Sequence, residues 1–174
     1  MHYIHDDASK IDISTEIQPD LIVGLHACGT LSDIIISSAI KSNASFIVCT
    51  CCFLSNQNLQ VQGKYGLDYL GQPKGDVITL AGISERQGDI ASQSEGVHSL
   101  NALRAQRCLE LIDEAGGAGG GGCELEITLE TFPIMYSGRN HVIIGDFSQR
   151  KKRLASECSS STTTTSTTTT ITIN

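Results

Sequence analysis

The chain has 174 residues, enough for one domain with its own hydrophobic core. Twelve Lys and Arg stand against 19 Asp and Glu, for a net charge of -7 and a pI near 5.1. That balance argues against a broad basic face for a phosphate backbone, though it leaves open an RNA brought in by a partner or a further domain. No apolar run approaches membrane-spanning length.

Seven Cys is a high count, odd, with three of them inside residues 49–52. The opening M-H-Y-I-H-D-D has neither a positive region nor the apolar core of a secretory signal. The expectation is reduced thiols in a cytoplasmic or nuclear setting, not a disulfide framework.

Residues 1–4 lean apolar and read as the tail of a strand, broken by Asp6, Asp7, Ala8 and Ser9. Residues 10–19 form a polar connection without clear periodicity. The stretch D-L-I-V-G-L-H-A-C-G-T-L-S-D, residues 20–33, is the organising one. Leu21, Ile22, Val23 and Leu25 make a short apolar strand. His26 and Cys28 fall at its carboxyl end, where open α/β sheets bind ligands. Gly29 allows a tight turn, Thr30 is a candidate N-cap, and Asp33 stands at capping-box spacing.

Leu31, Ile34, Ile35, Ala39 and Ile40 share a helical face, with Ile36 off it, and Ser42 and Asn43 end that helix. Residues 45–52, S-F-I-V-C-T-C-C, read as a parallel strand covered on both faces. Strand, helix, strand is a βαβ unit. Residues 53–96 are polar and Gly-dotted, the pattern of a lid or insertion, with a helical piece near 76–87. Residues 97–115 give a strong helix whose stripe is Val97, Leu100, Leu103, Cys108, Leu111 and Ile112, with Arg104, Arg107 and Glu110 elsewhere. Residues 116–122 are a Gly-rich linker. Residues 124–132 alternate cleanly, as an edge strand does, and a closely following strand at 141–144 should pair with it antiparallel. From residue 148 a basic cluster leads into a Ser/Thr-rich tail that cannot bury a core and is read as disordered.

Taken in order, G-L-H-A-C-G-T-L-S-D, C-T-C-C and S-G-R-N-H-V-I-I-G resemble a Rossmann-like, S-adenosylmethionine-dependent methyltransferase-domain family. The methyltransferase domain of glutathione S-transferase C-terminal domain-containing proteins is one form of it. Transfer-RNA 2′-O-ribose methyltransferases with a similar His-x-Cys-Gly pattern are more distant. The resemblance implies an α/β fold with strands three to seven of such a sheet. The final strand would be antiparallel and inserted between the strands at 45–52 and 125–132. It also implies S-adenosyl-L-methionine as cofactor, with Asp7 and Ala8 at its adenine and His26 and Cys28 at its methionine end. His26 would be the catalytic base. Asp33, Cys51, Cys52, Arg139 and Asn140 would line the acceptor pocket. The acceptor class stays open among RNA, protein and small molecules. No counterpart of the first strand and its Gly-rich loop precedes Asp7, so the sequence reads as the C-terminal portion of the domain. Thr50 also stands where relatives tend to have Pro.

Each residue has a plainer reading beside this one. His26 is equally a strand-end His bonded to backbone, Cys28 a small buried packer, Asp33 a helix-dipole partner. Zinc on the Cys residues is not expected, because strand alternation sends Cys49 and Cys51 to one face and Cys52 to the other. The reading is a methyltransferase portion, with a non-catalytic methyltransferase-like interaction module as the alternative and a Cys-rich metal-binding protein as the third.

Overall fold

The computed structural model describes residue 4 and residues 6–8, 10–54, 69–86, 88–116, 125–135 and 140–147. The expected strand at 1–4 apart from Ile4, the linker beyond Gly116, Arg139 and the tail therefore lie outside the described residues, as do residues 55–68.

The connection before the organising strand holds a short helix, α1 (Ile13–Glu16), started by Asp12, whose carboxylate accepts from the Ser14 N–H at 3.2 Å. Periodicity could not show a single turn; Ile13 buries it in the core. β1 (Leu21–Ala27) follows, then α2 (Thr30–Ser42), β2 (Ser45–Thr50), α3 (Lys74–Ser84), α4 (Ile90–Gly116), β3 (Glu126–Thr131) and β4 (His141–Asp146).

The sheet order is β1-β2-β4-β3. β1 and β2 are parallel, and β4 runs antiparallel to both β2 and β3. The last strand is thus inserted beside β2, leaving the Glu-alternating β3 at the edge. The composition agrees with these places. V-I-I in β4 suits an interior strand, and Glu126 and Glu130 on β3 discourage edge-to-edge pairing.

α2 and α4 lie on one face of this sheet, over Ile22, Phe46, Val48 and Ile143. α2 is buried on more than one side because the sheet, α1 and α4 all contact it, which is why Ile36, off the main stripe, is buried too. Asn43 closes α2 in the left-handed region at φ 51°, its N–H reaching the carbonyls of Ala39 and Ile40. Gly145 faces the ring of Phe46 so closely that a Cβ there would drive into it. Glycine at this position is what lets an aromatic ring lie flat across two strands.

Three expectations change. β2 is not covered on both faces: among the described residues the helices pack on one, and Val23, Ile47 and Ile144 on the other are half-buried or exposed. Residues 69–86 and 88–96 hold more helix than the piece expected near 76–87: they include α3 and the first turns of α4, packed through Tyr69, Leu70, Val77, Ala81 and Val97. Polar side chains on the solvent side of both helices mask that packing in the sequence. α4 itself starts seven residues before its expected beginning at 97 and, at 27 residues, is about 40 Å long.

Candidate functional site

The carboxyl ends of β1 and β2 lie side by side because the strands are parallel neighbours. Polar residues collect there. β1 loses its regular register between Gly24 and Ala27, so Leu25 and His26 bulge out and both are exposed. His26 pays with a backbone φ of 53°, rare outside glycine and a conformation concentrated at functional positions. Its ring is open to solvent at the strand end.

Thr30 is not the N-cap of α2. Gly29 is, at φ 54° and ψ −128°, a conformation only glycine adopts freely, and no side chain caps the helix. Thr30 and Asp33 are drawn into the interior instead. The Ser32 hydroxyl donates to the Ala27 carbonyl at 2.6 Å, and the Gly29 N–H donates to the Cys52 carbonyl at 2.6 Å. This second bond ties the turn after β1 to the turn after β2.

Asp33 meets Arg104 of α4 at 2.7 Å, with only 5% of either side chain exposed. Arg104 also donates to the Gly29 carbonyl at 3.3 Å and stacks 5.0 Å from the centre of the Phe53 ring. Burial pushes the Asp33 carboxyl above its ordinary value, and Arg104 opposes that rise. One turn of α4 away, Asn101 donates to the Thr50 hydroxyl at 3.2 Å. The polar layer beneath the strand ends is therefore built largely from α4. Neither Arg104 nor Asn101 stood out in the sequence, although both fall on the buried stripe through Val97, Leu100, Cys108 and Leu111. A polar residue at stripe spacing was the available signal.

Cys51 and Cys52 lie just past the end of β2, where the alternation of a strand no longer separates them. Their Sγ atoms are 3.3 Å apart, and with the Sγ of Cys28 all three lie within 4.8 Å of one another. The expectation that Cys51 and Cys52 point apart is overturned for that reason. Burial, helped by Cys52 and Cys28, pushes the Cys51 thiol up to about 12. None of the described cysteines is disulfide-bonded.

A cleft of about 110 Å³ opens beside Cys51, lined by Thr50, Ser94, Asn140 and His141 among others. His141, the first residue of β4, is buried, with Nε2 3.1 Å from the Ser94 hydroxyl. Burial first, and then His98, holds its imidazole below the usual value. Asn140 borders the cleft, but its amide group donates to the Phe132 carbonyl at 2.5 Å and its own carbonyl accepts from the Phe132 N–H, so it clasps the base of the β3–β4 connection.

The structure thus brings together Cys28, Cys51 and Cys52, with Asp33 buried beneath them and His26 at the neighbouring strand end. Asp7 and Ala8 lie in a turn closed by the Lys10 N–H on the Asp7 carbonyl, and the exposed Asp7 carboxylate faces Lys10 at 3.9 Å.

An open α/β sheet with polar groups gathered at the ends of parallel strands is the form of a ligand-binding α/β domain. Residues 2–58, which carry this turn and the thiols, match the family described as "Methyltransferase domain". Glutathione S-transferase C-terminal domain-containing protein of Homo sapiens is 50% identical over 36 residues, 21% of this chain and 6% of that protein. The homolog of Drosophila melanogaster is 25% identical over 134 residues, covering 71% of this chain and 21% of its own length. That of Drosophila pseudoobscura pseudoobscura is 24% identical over 132 residues, 74% and 22% respectively. The chain spans about a fifth or less of the length of these curated relatives. No solved structure matches. Together the family match and the relatives support a methyltransferase-domain family for this chain.

Proposed function

We propose that the chain forms part of an S-adenosylmethionine-dependent methyltransferase, the wall where cofactor methyl and acceptor meet. The observation that carries this reading is the matched segment's own turn, with its strained backbone at His26 beside the Gly29 turn at the carboxyl end of β1. Strain of about 1–3 kcal/mol persists at one spot when the fold holds it for use.

The residues fit the cofactor in part. Asp7 is exposed and acidic, suited to accept from adenine or ribose, and His26 and Cys28 stand at a strand end. Among the described residues no Gly-rich turn directly after a strand cradles a methionine carboxylate. When bound, S-adenosylmethionine supplies an electrophilic methyl group. The chain's own task is to hold the acceptor in line with it and to take the acceptor's proton, a role we assign to the exposed imidazole of His26. The Asp33–Arg104 pair fixes the turn that positions Cys28.

The acceptor is RNA, protein or a small molecule, and the net charge of -7 favours one that needs no basic surface here. No helix among the described residues is long and apolar enough to cross a membrane.

A non-catalytic methyltransferase-like module is the second reading. The half-exposed apolar face of Val23, Ile47 and Ile144 favours it, since such a face suits a docking partner. Calorimetry and methyl-transfer assays with S-adenosylmethionine decide between them, using the chain expressed together with any coding sequence directly upstream of Met1. Saturable binding, with transfer lost in His26→Ala, supports the enzyme. Absence of binding refutes it.

A further inference from the structure

The ends of β1 and β2 bring together three thiols that neither strand could assemble alone. Cys28 sits in the turn after β1, and Cys51 and Cys52 follow β2 directly. The Sγ atoms of Cys51 and Cys52 are 3.3 Å apart, and no pair of the three exceeds 4.8 Å. In a tetrahedral site with zinc–sulfur bonds of about 2.3 Å the sulfur–sulfur edge is about 3.8 Å, inside that range.

The scaffold around the thiols is braced from several sides. The Gly29 N–H on the Cys52 carbonyl joins the two turns, and the Leu31 N–H holds the Cys28 carbonyl at 3.1 Å. The Glu85 carboxylate accepts from the N–H groups of both Phe53 and Leu54, fixing the chain just after Cys52. Arg104 stacks on Phe53 and donates to Gly29. Cys28 directly precedes Gly29, the N-cap of the 13-residue α2, so a long helix anchors its backbone. All three thiols are half-buried, reachable from solvent but partly shielded from it. A bound cation displaces the protons of such thiols and holds them as thiolates.

We propose that Cys28, Cys51 and Cys52 form a three-thiolate site for a thiophilic cation of the zinc class. Soft thiolate donors select zinc over magnesium or calcium, and among the described residues no carboxylate joins the cluster. His26 is not part of the cluster. Three protein ligands leave a fourth position for water or an incoming soft donor, the pattern of an open site and not of a closed structural one. This inference stands on the thiol geometry and does not depend on methyl transfer.

The test uses the whole 174-residue chain, reduced, stripped with a chelator and titrated with Co²⁺ and then Zn²⁺. One Co²⁺ per chain should bind, with a thiolate-to-cobalt charge-transfer band and visible bands of tetrahedral intensity, all discharged by Zn²⁺. Cys28→Ser and Cys52→Ser should each weaken Zn²⁺ binding by at least about 10-fold. A second measurement needs no variant: alkylation of the unaltered chain, mapped by mass spectrometry, should be slowed by Zn²⁺ at Cys28, Cys51 and Cys52 together. No charge-transfer band in the reduced chain overturns the proposal. So does unchanged affinity in both variants, or Zn²⁺ protection that spares these three residues.

Discussion

Replacing Arg104 by Met tests the polar layer that organises the strand ends. The substitution keeps most of the side-chain volume but leaves the Asp33 carboxylate buried without its partner 2.7 Å away, and removes a donor from the Gly29 carbonyl. Two unit charges about 4 Å apart at an effective dielectric near 20 attract by about 4 kcal/mol. Removing one member of a buried pair costs about 3–5 kcal/mol, chiefly because the remaining charge is stranded. A domain of ordinary stability, about 5–15 kcal/mol, would lose at least about a fifth of it, and at the low end most of it. Urea unfolding followed by far-ultraviolet circular dichroism at about pH 7 should show that loss. Adding Asp33→Leu should restore most of it, since no charge is then left inside. Burial already raises the Asp33 carboxyl, and without Arg104 it rises further. The folded variant then keeps a proton that the unfolded chain gives up above about pH 4, so the deficit shrinks as pH falls from about 7 toward 4. A loss under about 1 kcal/mol, or one the double variant leaves untouched, would refute the assignment of a charged, coupled pair.

The imidazole of His141 is held below its usual value by burial and by His98, so below about pH 6.5 the unfolded chain takes up a proton that the folded one does not. Stability should fall on acidification through that range, and His141→Gln should flatten the fall when urea midpoints at about pH 5.5 and 7.5 are compared. Gly145→Ala should cost about 1–3 kcal/mol by driving a methyl into the Phe46 ring, and Phe46→Leu in the same chain should recover part of it; thermal unfolding of both reads this out. Glu85→Ala removes the acceptor for two backbone N–H groups, so hydrogen exchange at Phe53 and Leu54 should quicken by about 10-fold or more, while amides in β2 stay protected.

Much of the sheet was legible because each strand carries its own local signature. L-I-V at 21–23 and V-I-I at 142–144 are too short and too apolar for surface helices, and the Glu alternation of β3 marks an edge. The long helix was legible from Val97 on, where the apolar stripe is regular, and not in its first turns, where Gln93, Ser94 and Glu95 hide the buried Gly96. The start of α2 misled for a local reason. Thr30 and Asp33 have the chemistry of a capping box, but the buried Arg104 draws Asp33 inward and Gly29 makes the turn without a side-chain cap. Propensity describes what a residue does alone; a buried guanidinium 71 positions away outweighs it.

The sequence by itself determined the class of elements, their order, the suspicious turn at His26 and Cys28, and the resemblance that the family match over residues 2–58 agrees with. These follow from periodicity, turn chemistry and motif, all of which act over a few residues. Only the tertiary structure decided that Cys51 and Cys52 join Cys28, that Arg104 is the partner of Asp33, and that His141 reaches Ser94 across 47 positions. Each depends on where two strands end relative to one another and on which face of α4 meets them. Those are set by the packing of Phe46, Ile35 and Cys108 in one core, a sum of many weak contacts that no short stretch of sequence contains.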